Sequence, residues 1–341
     1  MAGCFISTYK GEWKVPANVL KEQLGYEIIE LNGKCSPSIS SKWVLLKKEI
    51  RNVFNVIQVF KRIDHKKVII CPDYVCLFLA FLQKLHILKV ETVCWYGMFV
   101  HSPKWVDILG RILRFIVPSE KSFRIIVFSR AEVGLYAKRW DMDPDCFIYV
   151  PYGDWNDSLF LGERIEYGGY FFSGGYSNRD YITLIQMFSG RDERLIIAAS
   201  KHNIDLCAWI DGHTLSKNIT VLYDIEKDHF DRLLCGSRAV ILVMEHNTGA
   251  SGQMVILSAM ANRKLVITTH TDVLDEYVED GKTALVIDKE EIGRVLPDII
   301  SEIDDDMSAY KTLADAAYER YRTVFSYEAI SGALVRAVRD L

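Results

Sequence analysis

The chain reads as an α/β protein built from two doubly wound parallel sheets, and three observations carry that expectation. Apolar runs of strand length alternate with amphipathic runs of helix length from Cys4 to Val150, and again from Gly168 to Ile287. At 341 residues the chain is long enough for two such units. A Gly/Ser-rich turn, GASGQ at 249–253, separates the apolar run 240–244 from a helical stretch at 254–260. A turn of this kind leaves backbone N–H groups near Ser251, Gly252 and Gln253 unpaired at a helix start, where an anion is stabilised. A diphosphate suits that place.

In chain order, residues 4–8 form a strand, 18–24 a helix and 26–31 a second strand, the opening of a doubly wound sheet. The stretch 42–61 places Val44, Leu45, Ile50, Val53, Phe54, Ile57 and Phe60 at helical spacing. Lys47, Lys48, Arg51 and Lys61 give it a basic edge. A strand at 67–71 ends at Pro72 and Asp73, an apolar helix covers 74–85, and a strand follows at 92–95. The loop 96–103 contains His101, and 105–117 is helical with Arg111 and Arg114. After the strand 124–128, Ser129 caps a helix with Glu132 at its third position. The strand 147–150 closes the first unit. In the second, the strand 168–173 runs into GGYSNRD, where Asn178 or Ser177 caps the helix ending at Phe188. Strands at 195–199, 219–222 and 239–243 follow, with a helix at 227–234 between the last two. Helices fill 290–324, and 327–341 is a closing amphipathic helix.

Charge is divided unevenly. Through Val150 there are 22 Lys and Arg against 14 Asp and Glu, a balance of +8; the remainder carries −12, giving the net −4. A basic first half suggests an anionic partner there, an anionic membrane surface among them. The eight cysteines form no C-x-x-C pair, which disfavours structural zinc and a disulfide framework and fits a reducing, cytoplasmic setting. The N-terminus lacks the basic and apolar regions of a signal peptide, and no apolar run is long enough to span a membrane. Peripheral attachment to the inner membrane face is the remaining membrane reading. Absence of G-x-G-x-x-G after the first strand disfavours a nicotinamide enzyme, and absence of G-x-S-x-G a serine hydrolase. No isolated D-x-D is flanked by strand signals, so a catalytic metal is not expected.

Ser258, Ala259 and Met260, the run RKLVIT at 263–268 and VEDGKT at 278–283 carry a family resemblance. They stand where GT-B glycosyltransferases, especially the family-4-like group of bacterial polysaccharide and glycolipid assembly, carry E-A-M, G-K-P-V-V-x-T and V-x-D-G-x-T-G. That resemblance implies two Rossmann-like domains with a cleft between them. Residues 1–152 would bind acceptor, 153–325 would bind nucleotide sugar, and 326–341 would cross back onto the first domain. The PYGD run after the strand at 147–150 is similar to the family's inter-domain crossing. The chain departs from the family where its two acidic positions fall on Ala250 and Ser258, so another group must hold the donor ribose.

The resemblance implies that Arg179 neutralises the donor diphosphate, aided by Ser251, Gly252 and Gln253. Gly174 and Gly175 permit close backbone approach to the ligand. Tyr223 and Asp224 fall where the family holds the base. Glu245, His246 and Asn247 adjoin the donor sugar, and Ser258 completes the donor set. On the acceptor side, His101 or Asp73 can take the hydroxyl proton. The function so implied is metal-independent transfer of a sugar, of hexosyltransferase class, from a nucleotide-diphosphate sugar to a lipid-linked or membrane-proximal glycan, with no cofactor. A nucleotide-sugar epimerase and an inactive GT-B partner subunit are the alternatives.

Overall fold

The computed structural model describes residues 3–7, 14–31, 42–72, 74–97, 103–117, 122–156, 158–161, 168–176, 178–245 and 251–341, with backbone alone at 42–50, 52 and 103–105. The chain divides into two compact units, Met1–Pro151 with Ile330–Leu341, and Tyr152–Ala329.

The first unit runs β1 (Cys4–Ser7), α1 (Lys14–Leu24), β2 (Glu27–Glu30), α2 (Lys42–Ile63), β3 (Val68–Cys71) and α3 (Val75–Lys84). It continues through β4 (Thr92–Tyr96), α4 (Pro103–Ile116), β5 (Phe123–Val127), α5 (Arg130–Trp140) and β6 (Phe147–Tyr149). Its six strands are parallel in the order β2-β1-β3-β4-β5-β6. Every residue of VIIC in β3 and of TVCWY in β4 is buried. Strands covered on both faces read as continuous apolar runs, which is why they are visible in the sequence.

The second unit runs β7 (Tyr170–Gly174), α6 (Tyr181–Phe188), β8 (Arg194–Ala199), α7 (Ile204–Asp211), β9 (Ile219–Tyr223) and α8 (Lys227–Cys235). Then come β10 (Ala239–Leu242), α9 (Gln253–Ala261), β11 (Leu265–Thr269), β12 (Leu285–Ile287), α10 (Ile292–Asp305) and α11 (Ser308–Arg320). A π-helical turn, Tyr321–Phe325, precedes α12 (Tyr327–Arg339). The strand order is β12-β11-β10-β7-β8-β9, again parallel. The chain builds outward from β7 through β8 to β9, then returns to lay β10 against the other flank of β7. That reversal is a topological switch point, where ligands of open α/β sheets gather beyond the carboxyl ends of the strands. In the first unit the equivalent reversal lies between β1 and β3.

Several local expectations change. Helix α1 starts at Lys14 and contains Pro16 in its first turn, where a missing N–H costs nothing. Helix α6 is capped by neither candidate. Asp180 caps it, its carboxylate accepting from Thr183 N at 3.1 Å, while Asn178 takes a left-handed φ of 56° and Ser177 lies outside the described residues. Helix α7, absent from the sequence reading, is capped by Asn203, which accepts from Leu206 N at 3.0 Å. The cap of α5 is as read: Ser129 Oγ accepts from Ala131 N, and Glu132 reaches back to Phe128 N, both at 3.1 Å. Among the described residues no helix is long and apolar enough to cross a membrane. Cys4, Cys71, Cys76, Cys94 and Cys146 are buried thiols.

Candidate active site

Two turns converge at the β7/β10 switch point of the second unit. The first follows β7. Gly175 has φ +124°, and a Cβ there would lie 2.7 Å from Arg179 Nη2, so only glycine suits the position. Tyr181 donates its hydroxyl to Gly175 O at 2.7 Å and fixes the turn from beneath. Arg179, 6% exposed, donates from Nε to Gly174 O at 3.1 Å; Nη1 contacts Asn178 O and Met244 Sδ, each at 3.5 Å. Its backbone forms an isolated antiparallel bridge with Met244, just past β10. Burial draws its pKa below the usual value, with Tyr181 partly opposing. A guanidinium still remains charged at neutral pH.

The second turn opens α9. Gly252 caps that helix with φ +97°, and the first intrahelical bond runs from Ile256 N to Gly252 O at 3.1 Å. The N–H groups of Gln253, Met254 and Val255 therefore precede the hydrogen-bond ladder, at the positive end of the helix. Asn178 Nδ2 donates to Ser251 Oγ at 3.1 Å and links the two turns. Lys289, beyond β12, adds a third tie: Nζ donates to Glu245 O at 2.8 Å and lies 3.4 Å from Asp180 Oδ2. Gly174, Gly175, Arg179, Glu245, Ser251, Gly252 and Gln253 thus come together beyond the carboxyl ends of the two central strands, β7 and β10.

The other described candidates, Ser258, Tyr223 and Asp224, take separate places in the second unit. Ser258 lies within α9, buried, its hydroxyl without a hydrogen-bond partner among the described residues. Tyr223 ends β9, the edge strand two places from β7. Burial, with a hydrogen bond to Cys207, pushes its phenol up to about 12. Asp224 accepts from Ser200 Oγ at 2.9 Å, which engages its carboxylate in the turn after β8. Asp73, His101, His246 and Asn247 lie outside the described residues. Among the described residues, no group of three His, Cys, Asp or Glu can hold a metal ion.

Sequence reasoning missed Asn178, Tyr181 and Lys289 as parts of this arrangement. Asn178 and Tyr181 adjoin Arg179, so the GGYSNRD turn offered a signal. Lys289 gave none, because 44 residues separate it from Glu245 and only the β10-β11-β12 pairing brings it close.

The family model described as Glycosyl transferases group 1 matches residues 179–320, a span that begins at Arg179 and includes the turn that opens α9. No curated protein sequence matches the chain. Among solved structures, Anabaena Alr3699/HepE in complex with UDP is similar, with TM-score 0.73 and 14% identity over 100% of both chains. A glycosyltransferase from Rickettsia africae ESF-5 gives TM-score 0.69 and 13% identity over 100% of this chain and 99% of its own. The apo lipopolysaccharide outer core galactosyltransferase WaaB gives TM-score 0.62 and 12% identity, over 100% and 99% respectively. Two Rossmann-like units with parallel six-stranded sheets, matched along their length in this way, define the GT-B architecture. Residues 179–320 match the model of glycosyl transferases group 1, and the fold is that of GT-B glycosyltransferases, as the family-4-like resemblance implied.

Proposed function

We propose that the protein transfers a sugar from a nucleotide-diphosphate sugar to a lipid-linked or membrane-proximal glycan acceptor, without a divalent metal. The observation that carries this reading is the convergence of the Arg179 turn and the α9 start, joined by Asn178 and Ser251. When the anomeric C–O bond breaks, both its electrons stay on the departing diphosphate. A fixed guanidinium and helix-start N–H groups stabilise charge that builds there, in a site already organised before reaction. UDP and UDP-glucose in complexes of the similar Anabaena protein support a nucleotide donor. Ser258, carrying a hydroxyl where the family has a ribose-binding carboxylate, is assigned to the ribose, Tyr223 to the base and Glu245 to the sugar. Asp73 or His101 takes the acceptor proton. The basic balance of the first half supports an acceptor bearing phosphate.

The test is thermal unfolding with UDP, GDP or ADP in the presence of a chelator. At ligand near 100 Kd the stabilisation is about 2.7 kcal/mol. Replacing Arg179 by Ala weakens donor use and turnover together by about 2–4 kcal/mol, whereas Arg179→Lys keeps part of both. A melting shift that requires magnesium, or unchanged kcat/KM in the Ala variant, overturns the assignment.

A further inference from the structure

Helix α4 is apolar on two faces. Its inner face buries Val106, Leu109 and Leu113 against the first unit's core, and Ile116 is buried too. Its outer face presents Ile108, Ile112 and Phe115, spaced four and three residues apart, which is one helical stripe in the solvent. Phe115 is 69% exposed. Burial of the core explains the first face and leaves the second without a reason.

The surroundings extend the stripe. Helix α3, packed between α2 and α4, has no polar side chain from Val75 to Leu82, and its Leu77, Phe78, Phe81 and Leu82 are only half-covered. A helix apolar all round is ordinarily buried. On its far side α2 exposes Phe54 and Ile57. Large apolar surface shared by neighbouring elements marks a contact site more often than chance exposure.

Charge selects the partner. Among the described residues, the exposed charges of α4 are Asp107, Arg111 and Arg114, and Asp107 is engaged by Arg139 Nε at 2.8 Å. Lys84 reaches over the Phe115 ring at 5.4 Å and donates to Phe115 O, while Lys61 on α2 and Lys138 on α5 are exposed. Apolar side chains bordered by cations match an interface of acyl chains and anionic headgroups. A second copy of the chain would oppose the same cations to themselves.

We propose that the outer surface of α3 and α4 docks on an anionic lipid bilayer, with Ile108, Ile112 and Phe115 entering the headgroup boundary and Arg111 and Arg114 meeting lipid phosphates. This narrows the anionic-membrane expectation for the basic first half to the surface of α3 and α4. Its purpose, bringing the acceptor half to a lipid-linked glycan, rests on the function proposed above; the contact itself does not.

The full-length protein is sedimented with phosphatidylglycerol-rich vesicles and with pure phosphatidylcholine vesicles, at low and at high salt. The expected result is pelleting with phosphatidylglycerol at low salt, release by salt, and little pelleting with phosphatidylcholine. Arg111→Glu with Arg114→Glu lowers partitioning at least about tenfold, and so does Ile112→Ser with Phe115→Ser. Because these side chains are exposed, melting temperature and the UDP response stay as in the wild type. Phe115→Ser alone, at the most exposed position, gives a smaller loss in the same direction. Wild-type protein left in the supernatant, or α4 variants that pellet undiminished, overturns the proposal. A concentration-dependent dimer that the apolar variant abolishes, without vesicle binding, assigns the surface to a second copy and overturns it as well. Protein that binds vesicles but no nucleotide retains this surface and removes the donor reading; the reverse removes only the surface.

Discussion

Glu132 shows how far a short motif can be read and where reading stops. Ser129-x-x-Glu132 is legible as a helix start of capping-box type from residue types alone, and in the fold Ser129 Oγ accepts from Ala131 N while Glu132 accepts from Phe128 N. The burial of that glutamate was not legible, because it depends on how β5 and α5 pack. Desolvation raises its carboxyl from an ordinary 4.5 to about 7, with backbone hydrogen bonds from Phe128 and Ser129 opposing. The folded value lies above the unfolded one, so the favourable contribution is complete below pH 4.5 and is lost as pH rises through 7. The loss amounts to about 3 kcal/mol across that window. Replacing Glu132 by Gln keeps an acceptor for Phe128 N–H and removes the titration. The variant is expected to match the wild type in acid and exceed it by up to about 3 kcal/mol above pH 7. Denaturant unfolding at a series of pH values measures this; parallel pH profiles for the two proteins would exclude the assignment.

At the scale of elements, the site depends on two turns and the bond between them. The strand-turn-helix order around both was visible in the sequence, since buried parallel strands leave continuous apolar runs and Gly-rich punctuation. The choice of cap was not. Asn178 and Asp180 are both capping types, and the left-handed backbone at Asn178 together with the reach of Asp180 to Thr183 N decides between them. Helix α7 escaped because IDLCAWID is short and has too little polar periodicity to separate it from a strand. The bond from Asn178 to Ser251 can be isolated by comparing two substitutions. Asn178→Gly loses the hydrogen bond, about 1 kcal/mol, while tolerating the left-handed φ. Asn178→Ala loses the bond and adds roughly 1 kcal/mol of backbone strain. Both are expected to weaken UDP binding by similar factors, because both untie the turns, while melting places Ala below Gly. If UDP affinity is unchanged in both, the link is structural and does not order the donor site.

Over the whole molecule, the alternation of strands and helices was legible but the strand orders were not. Nothing local tells β10 to return to the far flank of β7, and that reversal creates the switch point at which the site lies. The division into units places Ile330–Leu341 with Met1–Pro151, although the preceding turn belongs to Tyr152–Ala329. Units with separate cores need not unfold together, and a ligand stabilises only the unit that binds it. Calorimetry is therefore expected to resolve two transitions, with UDP raising only the one that belongs to 152–329. Leu334 gives the complementary perturbation. It is fully buried in the C-terminal segment grouped with the first unit, and truncating a buried leucine to alanine typically costs about 2–5 kcal/mol. In Leu334→Ala the transition insensitive to UDP should fall, while the UDP-sensitive one keeps both its midpoint and its ligand response. A variant in which the UDP-sensitive transition falls instead would reassign the last helix to the donor-binding unit. One transition that moves as a whole under both UDP and the substitution would mean that the units unfold as a single cooperative body.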